Sequence, residues 1–584
     1  MAARAPNRAT WIAGAVVAVA ATIAFAVGND DWGRSLRDPT ADAAYYYAYL
    51  PSLVLDRDLD FTNQYRVTGN WYRLGPTPRG RPGNVFGIGP AVFELPAFVV
   101  GHALARLAGA RSDGFSRWET TPVLWTSIAF SLGAVWLAAR LARRWVGGGA
   151  AWAGALLAGV SGPLLYYAIR QPGYAHPCAA LFATLLLERW DASYGAAPRS
   201  LRTWIVLGAA AGAAALARPQ LALWAALLPV AVVDDLRRRD GASLAALVGR
   251  WTAGAAAAAL VFLPQLLAWK ALYGAWYVVP QGPGFLRWDD PAWSEALFSS
   301  RNGLFPWAPL YAPMAIGLVI LARDTIRLPL ALLLGLFGQA LVNGAAWDWW
   351  AGGSFGGRRF DSCYAAFALG AAVLIAAAAR LLERPRRPAA ILAGLALAAA
   401  LLVAGATVQL AAMTSVNSAR ITGGEPASTV WRARIGGLRG RLAAWLSRAS
   451  NLPVRAAFAW RHGVDLDAYD RRVGVHVLGD TYPGLNSYPD KLRDAIPGPG
   501  RMTAPRAELL VGINRRGTVA LRAPIEAKGD VTLVWNDAAS VTRHLDGRGT
   551  LELTGLAPRR GTNVLEIRAP AGSTVSTIEI TAGP

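Results

Sequence analysis

Asp42 opens the segment Asp42-Ala43-Ala44-Tyr45-Tyr46-Tyr47-Ala48-Tyr49-Leu50, an acid followed at once by a run of tyrosines. On a helix, Asp42, Tyr45, Tyr46, Tyr49 and Leu53 fall at i, i+3, i+4, i+7 and i+11 and share one face. A carboxylate flanked by aromatic rings at a membrane surface has the chemistry to activate a sugar or sugar-acceptor hydroxyl, taking its proton as the oxygen attacks. Asp42 is therefore the candidate catalytic residue, with Tyr45 and Tyr46 as candidate substrate contacts. Asp38, followed by Pro39, reads instead as an N-cap with proline at the first helical position. The structural alternative for Asp42 is a first-turn acid favoured by the helix dipole.

A second constellation is Trp347-Asp348-Trp349-Trp350-Ala351-Gly352-Gly353-Ser354-Phe355-Gly356-Gly357-Arg358-Arg359-Phe360. Glycines let backbone N–H groups approach an anion, and arginines at a helix start add charge and bidentate hydrogen bonds, so Arg358 and Arg359 are candidate phosphate ligands. Trp347 and Trp350 are candidates for stacking on a sugar face or a prenyl chain. An interfacial aromatic belt with arginines reaching headgroups is the alternative. Asp56-Arg57-Asp58 has the form of an Asp-x-Asp metal motif, but with few further ligands nearby it supports no metal, and no cofactor is expected. Ser299-Ser300-Arg301-Asn302-Gly303 opens another apolar stretch and is a candidate cavity lining.

These residues need a membrane scaffold, and the composition supplies one. The 584 residues are 54% hydrophobic and 16% charged, with a mean hydropathy of +0.30. Apolar runs of bilayer-spanning length lie near 11–27, 119–139, 149–168, 174–190, 203–217, 220–234, 252–272, 303–322, 326–346, 362–382 and 388–412. The run Ile88–Gly109, interrupted by Pro90, Glu94, Pro96, His102 and Arg106, makes a twelfth span or a juxtamembrane element. Loop charge decides between them. Eleven spans with a cytoplasmic N-terminus put Arg140-Leu141-Ala142-Arg143-Arg144, Arg199, Arg202, Arg237-Arg238-Arg239, Arg250, Arg323, Arg327, Arg384 and Arg386-Arg387 on the cytoplasmic side. Twelve would put most of them outside.

The expected fold is thus a multi-pass α-helical membrane protein of about eleven spans over 1–412, with an outer loop at 29–118. The first span is read as an uncleaved anchor, although Ala24-Phe25-Ala26 offers a small-x-small cleavage site. The net charge of +21 sits in short arginine loops, which marks topology rather than nucleic-acid binding. Cys178 and Cys363 both fall within expected spans, which leaves no disulfide framework.

After residue 412 the pattern changes. A connector, 413–504, includes the basic amphipathic stretch Trp431, Arg432, Arg434, Leu438, Arg441, Leu442, Trp445, Leu446 and Arg448, suited to an anionic membrane surface or to ordinary packing. From 505 to 584 short alternating runs, separated by turn signals at Gly529-Asp530, Asp546-Gly547 and Gly561-Thr562-Asn563, predict a small extracytoplasmic β-sandwich.

The chain resembles the GT-C class of membrane glycosyltransferases, nearest the protein O-mannosyltransferase and aminoarabinose-transferase-like group. The resemblance covers roughly 10–412 and rests on Asp42-Ala43-Ala44-Tyr45-Tyr46, Gly173-Tyr174-Ala175-His176-Pro177, and the segment from Trp347 to Phe360. It implies transfer of a sugar from a polyprenyl-phosphate-linked donor, with inversion, on the outer face of the membrane, with Asp42 as general base. His176 falls where related enzymes often have a second acidic or polar residue facing the same cavity, and is a candidate substrate contact. The implied partners are the lipid-linked sugar, a glycan, lipid or protein acceptor, and membrane lipid. A flippase or transporter of lipid-linked sugars, and an oligosaccharide polymerase or ligase, are the alternative readings.

Overall fold

The computed structural model describes residues 37–382 apart from 197, 239–240, 283–284, 287, 289–290, 301, 347 and 352–354. It also describes scattered helical positions between 12 and 23 and, with gaps, residues 427–582. Most of the first expected span and all of the last, 388–412, lie outside the described residues, as do Arg301 and Trp347. The helices used below are α1 (Asp42–Pro51), α2 (Thr62–Thr68), α3 (Gly89–Leu107), α4 (Arg117–Arg143), α5 (Gly148–Ser161), α6 (Leu164–Ile169), α7 (Ala175–Ala192), α8 (Leu201–Ala217), α9 (Leu227–Arg237), α10 (Leu244–Tyr273), α11 (Tyr311–Leu321), α12 (Arg327–Ala345), α13 (Tyr364–Leu382), α14 (Gly437–Ser450) and α15 (Leu452–His462). Among the described residues, six helices are long and apolar enough to cross a membrane: α3, α4, Pro219–Arg237 (a 3₁₀ turn running into α9), α10, α12 and Arg358–Arg380. Two expected spans are not continuous. The run 149–168 breaks at Gly162-Pro163 between α5 and α6, where the residue before proline is extended rather than helical. The run 303–322 breaks at Ala308, between the short helix Leu304–Trp307 and α11.

Ion pairs sort the helix ends into two layers. In one, Arg140 bonds Glu188, Arg144 bonds Asp191, and Arg199 is fully buried between Asp234 and Asp235. Arg327 joins the same layer through Asp234 and stacks on Trp190. These arginines come from the loops expected on one side of the membrane, and the fold gathers them at one end. The opposite ends of α7, α8 and α12 carry His176, Arg218 and Asn343, which meet the loops around Asp42 and Arg358. The 18 residues of α7 separate the layers by about 27 Å, close to a hydrocarbon thickness. Between them the core is apolar and rich in small residues: Gly208 on α8 lies against the Gly254 carbonyl on α10, the close approach that membrane helices use.

The loop between the first expected span and α4 wraps α1. Asn84 donates to the Tyr45 carbonyl, Tyr49 donates to the Phe86 carbonyl, and Tyr47 donates to the Gly114 carbonyl. Residues 84–86 lead into α3 and residue 114 follows it, so both ends of α3 are tied to α1. Although α3 passes the length and composition test for a span, it starts and finishes at the same end of the molecule as Asp42. Pro96 lies inside it.

The tail forms, among the described residues, one connected nine-stranded sheet: β1 (His476–Leu478), β2 (Arg493–Ile496), β3 (Gly500–Arg501), β4 (Arg506–Ile513), β5 (Val519–Trp535), β6 (Ala539–Leu556), β7 (Gly561–Arg568), β8 (Thr574–Val575) and β9 (Ile578–Ala582). β5 pairs with β6 along one edge, and with β9, β8 and β7 in turn along the other. Alternate residues of β5, from Val519 to Trp535, enter a single core. The turns expected at Gly529-Asp530 and Asp546-Gly547 are not turns. Lys528 pairs with Asp546 and Gly529 with Leu545, so the ladder runs straight through. Gly529 has φ +131°, a conformation glycine takes within a strand at little cost. The hairpin instead turns at Asn536 and Asp537, with φ +53° and +57°, where asparagine and aspartate tolerate the left-handed region.

Candidate active site

Three segments far apart in sequence converge on Asp42. Its Oδ2 accepts from Arg358 Nη1 at 2.9 Å, across 316 positions of chain. Its Oδ1 accepts a short hydrogen bond from the Tyr72 hydroxyl. The Arg358 guanidinium carbon lies 5.8 Å from the centroid of the Tyr174 ring. The Asp42 and Arg358 side chains are only 9% and 14% exposed, so the pair sits in a poorly hydrated setting where its electrostatics are strengthened. Burial, and then the Asp42 charge, push the Tyr72 hydroxyl far above its ordinary value. Tyr72 therefore stays protonated and keeps donating to the carboxylate.

Local structure explains why Asp42 reaches this point. The expected N-cap at Asp38 is not realised: α1 starts at Asp42, and Ala41 precedes it at φ +50° with no side-chain cap. The first amides are satisfied by a backbone turn, Ala43 N–H to the Thr40 carbonyl and Ala44 N–H to the Ala41 carbonyl, both at 3.1 Å. A side-chain cap is unnecessary, and the Asp42 carboxylate points away from its own helix toward Tyr72 and Arg358. Gly173 completes the approach. At φ +79° it turns the chain into α7, and a Cβ there would meet Leu124 at 2.7 Å and Ala43 at 3.1 Å. A side chain there would be strained at this φ and would require Leu124 and Ala43 to give way.

Every residue of α1 is buried, so the tyrosines do not form a single exposed face. Tyr45 packs on Tyr65, Tyr72 and Phe86, donates to Asn70 Oδ1 and accepts from the Tyr72 amide. Tyr46 packs on Phe86 and lies within electrostatic reach of Arg218, Asp42, Arg358 and Arg359; burial pushes its hydroxyl up to about 12. Leu53 falls beyond α1 in the π-type turn Ser52–Asp56 and is exposed.

His176 is buried at the start of α7, its ring 4.4 Å from that of Tyr167. Its Nδ1 accepts from Arg218 Nη1 at 3.1 Å and lies 3.0 Å from Asp361 Oδ2. Arg359 pairs with Asp348 instead: its Nη2 donates to both carboxylate oxygens, at 2.8 Å each, and its Nη1 donates to the Asp348 carbonyl. Trp350 packs edge-on against Trp349, and its carbonyl accepts from Asn302, whose own carbonyl accepts from Gly357 N–H. Asn302 thus fastens the loop that presents Arg358. Asp56 accepts from Asn63 and Gln64, and Asp58 from Ser52 and the Asp60 amide, so both acids brace the loop around α2. Among the described residues, no group of three or more histidine, cysteine or acidic side chains is placed to hold a metal.

Tyr72, Arg218 and Asp361 were not among the sequence candidates. Tyr72 lies in an irregular loop with no periodicity. Asp361 follows Arg358-Arg359 inside a 3₁₀ turn, Arg358–Cys363, just ahead of a span expected to start at 362. A charge before Pro219 at a helix end was the signal for Arg218.

Among solved structures, the chain is similar to an oligosaccharyltransferase from Archaeoglobus fulgidus in its apo form, with 15% identity and a TM-score of 0.42 over 72% of this chain and 58% of that one. It is similar to the archaeal oligosaccharyltransferase AglB from the same organism, in complex with an inhibitory peptide and a dolichol-phosphate, with 14% identity and a TM-score of 0.42 over 74% of this chain and 58% of that one. It is also similar to ArnT from Cupriavidus metallidurans, with 16% identity and a TM-score of 0.39 over 85% of this chain and 92% of that one. All are GT-C glycosyltransferases. The chain spans 58% of the length of the oligosaccharyltransferases. No family model matches the chain, and no curated protein does.

Proposed function

We propose that this chain transfers a sugar from a polyprenyl-phosphate-linked donor to a hydroxyl of a glycan, lipid or protein acceptor at the outer face of the membrane, with inversion and with Asp42 as general base. The observation that carries this reading is the buried Asp42 carboxylate, held between a phenol and a guanidinium where three distant segments meet. In a single displacement the acceptor oxygen bonds to the anomeric carbon as the carbon–oxygen bond to phosphate breaks. The acceptor proton passes to Asp42, and the bonding electrons leave with the phosphate. Phosphate leaves without a proton if cations hold its charge, which is the work of Arg358.

The Asp42–Arg358 pair links the two roles. While Arg358 is bonded to Asp42 it occupies one of the two carboxylate oxygens. A donor phosphate that draws Arg358 toward itself frees one carboxylate oxygen as it binds. Tyr46 and His176 stand beside this pair and are assigned to substrate contact, as are Tyr45, Trp350 and Arg359 near them; Trp347, outside the described residues, keeps that assignment from its sequence position alone. The test is mass spectrometry of lipids that co-purify with the full-length protein, followed by transfer from the recovered species in vesicles. A co-purifying polyprenyl-phosphate sugar that is consumed supports the reading. Failure of the protein to bind or consume any such lipid would sink it.

A further inference from the structure

Three arginines reach the layer around Asp42, and two of them are committed to carboxylates. Arg358 is bonded to Asp42, and Arg359 is paired through Nη2 with the Asp348 carboxylate. Arg218 differs. Among the described residues its hydrogen-bond partner is not a carboxylate but the ring nitrogen Nδ1 of His176, at 3.1 Å. A guanidinium carries five N–H donors in a rigid fork, so most of the binding capacity of Arg218 is unspent. The residue is half-buried where α8 ends. Tyr46, Arg359, Arg358 and Asp361 lie within electrostatic reach of it.

The backbone holds this residue in place. Arg218 ends α8 in an extended conformation, φ −153° and ψ 121°, immediately before Pro219 opens a 3₁₀ turn. Proline forbids continuation of the helix through the preceding residue, so the side chain leaves the bundle at a defined point. His176 has Arg218 on one side and Asp361 Oδ2 on the other, 3.0 Å from the same nitrogen. That nitrogen can accept from Arg218 or carry a proton toward Asp361, but not both. The arginine is therefore parked on a weak and exchangeable acceptor. A phosphate oxygen, which accepts charge-assisted and bidentate hydrogen bonds, is a better partner for it.

We infer that Arg218 binds the phosphate of the lipid-linked donor together with Arg358, with His176 holding the guanidinium in position between turnovers. The inference rests on the glycosyltransferase reading above and names the cation that this reading leaves unassigned. The test uses full-length protein in nanodiscs, with undecaprenyl phosphate and inorganic phosphate as separate probes. Arg218→Ala should weaken undecaprenyl phosphate binding by roughly tenfold to a hundredfold, the worth of hydrogen bonds between charged partners. Arg218→Lys, which keeps the charge and loses the fork, should fall between the alanine variant and wild type with an unchanged melting temperature; this variant decides the matter if alanine does not fold. Equal affinity in wild type and both variants, with Arg358→Ala impaired, overturns the assignment of Arg218 and leaves the enzymatic reading standing. Wild type that binds no polyprenyl phosphate overturns both. Inorganic phosphate bound as tightly as the lipid would overturn the assignment to a lipid-linked phosphate.

Discussion

Replacing Asp42 by asparagine removes a base and strands a cation, and the two effects can be separated. As a positioned base Asp42 should contribute about 10²–10⁴ in rate, which corresponds to about 3–5 kcal/mol of barrier. As the partner of Arg358 at 2.9 Å it also neutralises a buried guanidinium, and breaking such a pair costs about 3–5 kcal/mol of stability. Asp42→Asn should therefore lower both the transfer rate and the melting temperature. Adding Arg358→Gln removes the stranded charge, so the double variant should regain most of the lost stability and none of the transfer. The assay is transfer from a polyprenyl-phosphate sugar to acceptor in reconstituted vesicles, at saturating donor, alongside thermal unfolding in the same lipid. If the double variant transfers sugar within about tenfold of wild type, Asp42 is only an electrostatic partner and the base lies elsewhere. Because the phosphate candidate and the base candidate form one ion pair, donor affinity should also change in Asp42→Asn; separate sites would leave it untouched.

Ser540 is exposed on β6, while the native Cys178 and Cys363 are buried. Ser540→Cys should thus label with an impermeant thiol reagent in intact cells; labelling only after lysis would place the tail in the cytoplasm. Burial raises the Tyr46 hydroxyl from 10.0 to about 12, so the unfolded chain loses this proton first. The contribution of Tyr46 to stability should be constant below pH 10 and fall between about pH 10 and 12, so Tyr46→Phe should flatten the fall over that window in melting experiments. Leu438, Leu442 and Trp445 form an exposed i, i+4, i+7 stripe on α14, Trp445 being 67% exposed. Lipids brominated near the headgroup should quench Trp445 fluorescence, and Trp445→Glu should lower the affinity of α14 for anionic vesicles; quenching equal to that of a water-soluble quencher alone would make the stripe a solvent-facing surface.

The apolar runs were legible because bilayer length and arginine placement are strong one-dimensional signals. The breaks within them were less so, since Gly162-Pro163 and Ala308 interrupt stretches whose composition stays apolar. Asp42 and Arg358 could each be picked out by residue type and neighbours, but their bond could not, since it joins positions 316 apart. Tyr72 and Asp361 carry no periodic or motif signal and matter only through what the fold sets beside them. The same limit applies to β5. Gly529-Asp530 has the composition of a turn, and only its pairing across to Leu545 and His544 makes it strand. Asn536-Asp537 turns the chain without a glycine to mark it in the sequence.

The two ends of the bundle give the site and the tail a common address. Trp431 and the Ala443-Ala444 face of α14 pack in one apolar cluster with Ala43, Tyr167, Tyr174, Trp307 and Phe355. Tyr469 donates to Ser299, and Trp431 donates to the Pro306 carbonyl. The connector is thus seated on the loops that surround Asp42, at the end opposite the arginine-rich layer of Arg144, Arg199 and Arg327. If the arginine layer faces the cytoplasm, as loop arginines generally do, the site and everything attached to it face outward together. The α14 helix then lies where its Ala face meets the loops around Asp42 and its Leu and Trp side chains meet the outer leaflet. The position of Asp42 relative to the bilayer would follow from the same packing that holds Arg358 against it.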